Sequence, residues 1–294
     1  MTFKGMVSAK AFAPAHITGF FGVHDYSDPL HKGSTGCGIV LNAGIETKVI
    51  CGEDVEDTEI ILNDIKVEGK TIRTVIETLT DRPVKVESKA GIPIGSGLGA
   101  SGAGALGTAY ALNSALGLNL TANRLNQVAH VAEVKNSSGL GDVAAQSSGG
   151  VVIRKTPGAP GIGIYDRIPV SEQDVWCVVL GELSTSSVIG SKEIVERITL
   201  AGRSAMKKLM ERPTLENFMH CSRDFSIDTG LASQKIIDAI EAVGSAGGIA
   251  AQAMLGNTVF AITQRSGDNE IADALSEFGN VLHYRINTGS IKLM

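Results

Sequence analysis

Cysteine is scarce and scattered in this sequence. Cys37, Cys51, Cys177 and Cys221 are its four cysteines, and they form no C-x-x-C pair. That excludes a cysteine zinc site and a disulfide framework, and it is the pattern expected in a reducing cytoplasm. Aromatic residues make up only 4% of the 294 positions, so the 43% of apolar residues must build a core mainly from small and aliphatic side chains. Basic surplus is missing too. Twenty-six Lys and Arg against 31 Asp and Glu leave a net charge of −5, which argues against nucleic acid or an anionic membrane as partner and leaves a small molecule. No charged residue occurs from Ala90 through Asn123, yet that stretch is rich in Gly, Ser and Asn rather than Leu and Ile, so it does not read as a membrane span. The N-terminal residues MTFKGMVSAKAFAP have no apolar run of signal-peptide length.

What the chain does have is glycine, 35 residues in all, with six of them between Gly91 and Gly104. The segment PIGSGLGASGAG, Pro93 to Gly104, runs straight into a helical pattern. A glycine loop feeding a helix N-terminus suits an anion: small residues let backbone N–H groups approach a phosphate, and the helix dipole adds partial positive charge. The loop has no lysine near its end, so it is not a Walker A loop. Gly97-x-Gly99-x-x-Gly102 matches a dinucleotide fingerprint. However, the segment before it is charged and proline-broken, and the next acid is Glu133, too far for the ribose.

Along the chain, Val7 to Ala13 reads as a first strand ended by Pro14. Gly36 to Asn42 and Ile45 to Cys51 read as two strands joined by a turn at Asn42-Ala43-Gly44. Thr71 to Leu79 reads as a helix, and Val84 to Ser88 as an edge-accessible strand. Thr121 caps a helix that follows the one ending near Leu116. Gly149-Gly150 opens another strand. The later half shows a strand at Trp176 to Leu180, helices at Ser191 to Met210, from Thr214, at Leu231 to Val243 and at Glu270 to Phe278, and strands at Asn257 to Thr263 and Val281 to Ile286. Without strict βαβ alternation, the expected class is α+β. Thr156 to Gly161, rich in Gly and Pro, is the expected boundary.

Four segments accompany the glycine loop. His16 follows Pro14 at an expected strand end. The polar stretch His24 to Ser34 reads as a surface loop able to grip a polar ligand. His130 to Val143 carries Glu133 near a helix end and Asp142 in a glycine turn; two acids after a phosphate loop suit a Mg²⁺ ligand and a base near a hydroxyl. Ser245 to Gly256 is a glycine turn that either closes over phosphate or connects elements.

Pro93-x-x-x-Gly97-Leu98-Gly99-Ala100-Ser101 resembles the P-x-x-x-G-L-G-S-S loop of the GHMP kinase superfamily, with Ala100 for the first serine. Ala13-Pro14-Ala15-His16 resembles that superfamily's A-P-G-K start, with His16 in place of lysine. Ser138-Gly139-x-Gly141-Asp142 followed by Gly149-Gly150 resembles the segment with the catalytic aspartate, and Gly244 to Gly256 stands where a third glycine motif belongs.

The resemblance implies a two-lobed α+β fold with mixed and antiparallel sheets, lobes 1–155 and 156–294, and a nucleotide site where the glycine loop opens a helix. It implies ATP and Mg²⁺: Pro93, Gly95, Ser96, Gly97, Leu98, Gly99, Ala100, Ser101 and Gly102 at the phosphates, Ser101 and Glu133 on the metal, and Asp142 orienting the acceptor hydroxyl. His16 either bridges acceptor and phosphate or contacts the acceptor carboxylate. A homodimer is the assembly the superfamily implies. The segment His16-Ile17-Thr18-Gly19-Phe20-Phe21, together with Asp28 to Ser34, Gly139 to Gln146, Pro213 to Met219 and Ala253 to Phe260, resembles the archaeal pantoate kinase family, which implies a small hydroxy acid as acceptor. On that reading His24, Asp25, Lys32 and Ser34 bind the substrate, Lys32 and Ser34 taking its carboxylate. Spacing leaves homoserine, shikimate and mevalonate open as acceptors, and a non-catalytic ATP sensor open as an alternative to an enzyme.

Overall fold

Two long strands frame the molecule. β1 (Val7–His24) and β2 (Gly33–Cys51) pair antiparallel over almost their full length. The computed structural model describes residues 5–181, 192–264 and 268–294. Around the central pair, the order continues with β3 (Glu59–Leu62), β4 (Ile65–Lys66), α1 (Lys70–Leu79), β5 (Lys85–Ala90), α2 (Ala100–Leu116), α3 (Ala122–Lys135), α4 (Asp142–Ser148), β6 (Val151–Arg154) and β7 (Tyr165–Ile168). The remaining elements are β8 (Asp174–Val179), α5 (Lys192–Glu211), α6 (Leu215–Asp228), α7 (Gln234–Ser245), β9 (Gly248–Ala253), β10 (Thr258–Thr263), α8 (Asp268–Ser276), β11 (Val281–Arg285) and β12 (Lys292–Leu293).

The first sheet runs β12-β1-β2-β5-β3-β4, with β6 also on β2 and β7 on β6; the second runs β11-β8-β10-β9. All pairings are antiparallel except β3 with β5, which α1 connects as a crossover. The class is α+β, as expected. The helix starts capped by Thr121 and Thr214 are where the sequence put them, each hydroxyl accepting an amide three residues on. The helix expected from Leu231 starts later, because Ser233 supplies the cap. Ser191, the expected start of the long helix, lies outside the described residues.

Three expectations are corrected. Pro14 does not end β1, and Asn42-Ala43-Gly44 is not a turn. The strands run through both, and the ladder shifts register there: between the pairs Pro14↔Gly44 and His16↔Val40, Ala15 alone stands opposite three residues of β2. A proline is tolerated at such an irregularity because it has no amide proton to lose from the ladder. Nearby groups bond outside the pair. His16 N donates to Leu98 O at 3.1 Å, Val40 N to Gly150 O at 2.9 Å, and Asn287 N to Val40 O at 2.8 Å. Second, β5 is no edge strand; it lies between β2 and β3. Third, Asp142 sits at the start of the short helix α4, not in a turn.

The few aromatics are concentrated. Phe20 and Phe21 of β1 pack on Phe218 and Phe225 of α6, and Phe218 meets Phe260 of β10, with ring centroids 6.0–6.4 Å apart. This cluster joins the first sheet to the second, and the glycine loop lies beside that junction.

Candidate functional site

The glycine loop leaves β5 and ends at Gly99, which precedes α2. Its glycines at 95, 97 and 99 all have positive φ, at 74°, 82° and 68°. At Gly97 a side chain is excluded twice over, because a Cβ would also stand 2.8 Å from the Gly256 backbone. The loop is braced from below by the first residue of β10: Thr258 Oγ1 donates to Ser96 O at 2.7 Å. The Ser96 hydroxyl is turned inward onto Pro93 O at 2.6 Å, and Leu98 is buried in the core. The Ser245–Gly256 segment, expected as a glycine turn, is mostly strand β9; in the short turn after it the Gly256 backbone packs on Ser96 and Gly97, while Met254 and Leu255 reach the cleft. With no acid in its own first turn, α2 points its N-terminus into that cleft, where Asp142 and Glu133 stand beside it.

The cleft encloses about 190 Å³ and is lined by Gly95, Gly97, Leu98, Gly99, Ala100, Ser101, Glu133, Asp142, Arg154 and Ser34, among others. Next to it, an apolar pocket of about 240 Å³ opens between α1 and the start of α2, sharing Ile94, Ala100 and Ser101 with the cleft.

Asp142 is held by His16, whose Nδ1–H donates to Asp142 Oδ1 at 2.7 Å. His16 is completely buried, and its Nε2 has no partner. The ring lies where Gly38 leaves room for it; a Cβ at Gly38 would collide with Nε2. Burial lowers the His16 pKa despite the Asp142 charge, so the imidazole is neutral at pH 7 with its proton on Nδ1. Burial pushes the Asp142 pKa up, but the His16 hydrogen bond and the nearby Arg154 guanidinium outweigh it and hold the carboxyl below its ordinary value. Asp142 is therefore ionised, and its side chain keeps 23% exposure toward the cleft. Glu133 is the opposite case. Burial, then the Asp142 charge, raise it to about 7, against the pull of the Ser101 and Ser138 hydroxyls.

Of the residues singled out from the sequence, His16, Glu133, Asp142, Ser101, Ser34 and the glycine loop come together at this cleft. Pro93 and Ser96 brace the loop from behind. Gly102 lies under the acids, a Cβ there falling 3.3 Å from Glu133 Oε2 and 3.3 Å from Asp142 Cβ. His24, Asp25 and Lys32 do not line the cleft. His24 Nε2 is bonded to Thr35 Oγ1 at 3.1 Å, and Lys32 Nζ is paired with Asp25 at 2.7 Å. His130 of α3, buried, donates from Nε2 to Lys32 O at 2.9 Å and anchors that loop.

Sequence reasoning passed over Arg154. This arginine at the end of β6 is 1% exposed and lines the cleft. Its Nε and Nη1 have no hydrogen-bond partner, and it forms no ion pair among the described residues. Gly141 makes room for it, since a Cβ there would be 2.6 Å from Nε. A buried guanidinium without an ion pair is costly unless an anion completes it. Gln146, one turn after Asp142 on α4, was also passed over; its Nε2 donates to Gly99 O at 2.8 Å and ties α4 to the loop.

Ser101 and Glu133 are side chains that could hold a divalent cation, with the Asp142 carboxylate beside them. The described residues contain no cluster of three or more Asp, Glu, His or Cys side chains that would cage a metal unaided. A hydroxyl and a carboxylate beside a phosphate loop fit Mg²⁺, which binds through one or two carboxylates plus substrate phosphates.

A family model for the GHMP kinases N terminal domain matches residues 65–150. The chain is 36% identical over 273 residues to a pantoate kinase of Methanocaldococcus jannaschii, covering 92% of this chain and 97% of that one. It is 38% identical over 231 residues to a pantoate kinase of Thermococcus kodakarensis, covering 76% of each. A solved structure described as a phosphotransferase related to the CoA biosynthesis pathway superposes with a TM-score of 0.88, at 32% identity and 98% coverage of both chains. No helix of the described residues is long and apolar enough to cross a membrane.

Proposed function

The chain belongs to the pantoate kinase family of the GHMP kinases, and from that premise we propose that it transfers the γ-phosphoryl group of ATP to the hydroxyl of pantoate, giving 4-phosphopantoate on a route to coenzyme A. The glycine loop and the N-terminus of α2 take the phosphates. The apolar pocket beside them takes the base. Mg²⁺ bound at Ser101 and Glu133 would neutralise charge on the β- and γ-phosphates.

Asp142, ionised and fixed by His16, accepts a hydrogen bond from the acceptor hydroxyl. As the acceptor oxygen forms its bond to phosphorus, the bond from the γ-phosphorus to the bridging oxygen breaks, ADP leaves, and the hydroxyl proton passes to Asp142. A carboxylate of low pKa is a weak base, so its main work is orientation in a loose transition state where the proton leaves late. His16 contributes as a neutral donor that restricts the Asp142 rotamer.

The observation that carries the reading is Arg154. Its guanidinium lines the same cleft as Asp142, with Nε and Nη1 buried and unpartnered, and this positive charge supports an acceptor bearing both a hydroxyl and a carboxylate. That moves carboxylate recognition from Lys32, which is already paired, to Arg154 with Ser34. The division into lobes 1–155 and 156–294, a cytoplasmic location and a homodimer belong to this reading as family-level parts.

The test is ADP release with ATP, Mg²⁺ and, separately, pantoate, homoserine, shikimate and mevalonate. Turnover with pantoate alone is expected. Turnover with another acid instead would move the acceptor, and ATP binding without turnover on any of them would favour a sensor.

A further inference from the structure

Three hydroxyls and a carboxylate form an unbroken hydrogen-bonded chain beside the glycine loop. Ser101 Oγ donates to Thr71 Oγ1 at 3.3 Å, Thr71 Oγ1 lies 2.9 Å from Ser138 Oγ, and Ser138 Oγ donates to Glu133 Oε1 at 2.7 Å. Each hydroxyl has one proton to give. With Glu133 ionised, a single direction satisfies the chain: Ser101 to Thr71, Thr71 to Ser138, Ser138 to Glu133. Thr71 is the hub. It sits in the first turn of α1, 8% exposed, on a helix that contributes no other group to the acid cluster.

A neutral serine hydroxyl is a good cation ligand only if its proton points away and is accepted elsewhere. Ser101 also lies beside the Glu133 carboxylate. A cation shared by those two ligands denies the proton that direction, and Thr71 Oγ1 is the acceptor left. We infer that Thr71 is a positioning residue for the divalent cation. It takes the Ser101 proton, turns the Ser101 lone pairs toward the metal and, through Ser138, fixes the Glu133 carboxylate. The inference rests on the reading that Ser101 and Glu133 are the ligands.

The test is Mn²⁺ binding, followed by electron paramagnetic resonance on protein saturated with a non-hydrolysable ATP analogue. Thr71→Val, Thr71→Ser and Ser138→Ala are compared with Ser101→Ala, Glu133→Gln and wild type. Thr71→Val is expected to weaken Mn²⁺ about tenfold, as loss of an outer partner of a metal ligand does, and to raise the half-saturating Mg²⁺ in turnover by a similar factor. The KM for the acceptor should not move. Thr71→Ser, which keeps the hydroxyl, should bind Mn²⁺ within about threefold of wild type. Ser138→Ala breaks the same chain one bond further on and should shift Mn²⁺ in the same direction; it carries the test if Thr71→Val does not fold. Wild-type Mn²⁺ binding by Thr71→Val or, in that event, by Ser138→Ala, while Ser101→Ala and Glu133→Gln lose it, overturns the role of Thr71 alone. If Ser101→Ala and Glu133→Gln also bind normally, the ligand reading fails and the inference falls with it.

Discussion

Arg154 and Glu133 are both buried charges, and they answer to opposite remedies. Arg154 feels the Asp142 charge but has no hydrogen-bonded anion among the described residues. Replacing it with Met should raise the KM for pantoate about 10–100-fold, the worth of a charged hydrogen-bonded pair, with the KM for ATP within about twofold; steady-state kinetics with each substrate varied decides it. Glu133 lacks a cation. Its folded pKa of about 7 lies above its ordinary 4.5, so the folded protein holds the extra proton between those values. Stability therefore falls as pH rises from about 4.5 to 7, and the cost stays in full above 7. Glu133→Gln removes the titration. Without divalent cation it should stabilise the protein more at pH 8 than at pH 5, by up to about 3 kcal/mol, in thermal melts at the two pH values. His16 titrates below its ordinary 6.5, so kcat should show no inflection from it between pH 7 and 8, and a clear one that persists in Glu133→Gln would make it a cation. At this scale the loop glycines were legible, because backbone conformation is written in the residue type. Arg154 was not: an arginine after five apolar or glycine positions and before a lysine looks the same whether it ends a strand at the surface or points into a cleft.

The elements divide in a similar way. Long or capped ones, such as α2, α3 and α6, were legible from pattern and from Thr121 and Thr214. The seven-residue α4, which carries Asp142 and Gln146 on one face, was too short to show a period. β9 was hidden because glycine and alanine, which fill most of it, carry no strand signal, although all six of its residues are buried. The contact between the glycine loop and the β9–β10 turn is where this element matters. Gly97→Ala meets both a positive φ and the Gly256 backbone. It should cost about 1–3 kcal/mol and raise the KM for ATP well above that for pantoate. Denaturant melts and kinetics on the same sample check both halves of that expectation.

Across the whole molecule, the Phe20, Phe21, Phe218, Phe225 and Phe260 cluster joins the two sheets into one core, so the protein should unfold in a single calorimetric transition. Phe225→Ala should cost about 3–5 kcal/mol and lower that one transition rather than split it; two separated transitions would show that the sheets are independent. Such a junction was beyond sequence reading, since positions 20, 218 and 260 meet only through the fold. The shift in the β1–β2 ladder has a consequence for the order of folding. A hairpin is local, and the outer parts of β1 and β2 can pair early. The stretch around His16 and Val40 instead draws its bonds from Leu98, Gly150 and Asn287, all far along the chain, the last of them close to the C-terminus. Closing those distances is slow. The amide protons of His16 and Val40 are thus among the last to become protected as the chain folds, and the phosphate loop gains its fixed shape only when Thr258 of β10, 162 residues further on, has arrived to hold Ser96.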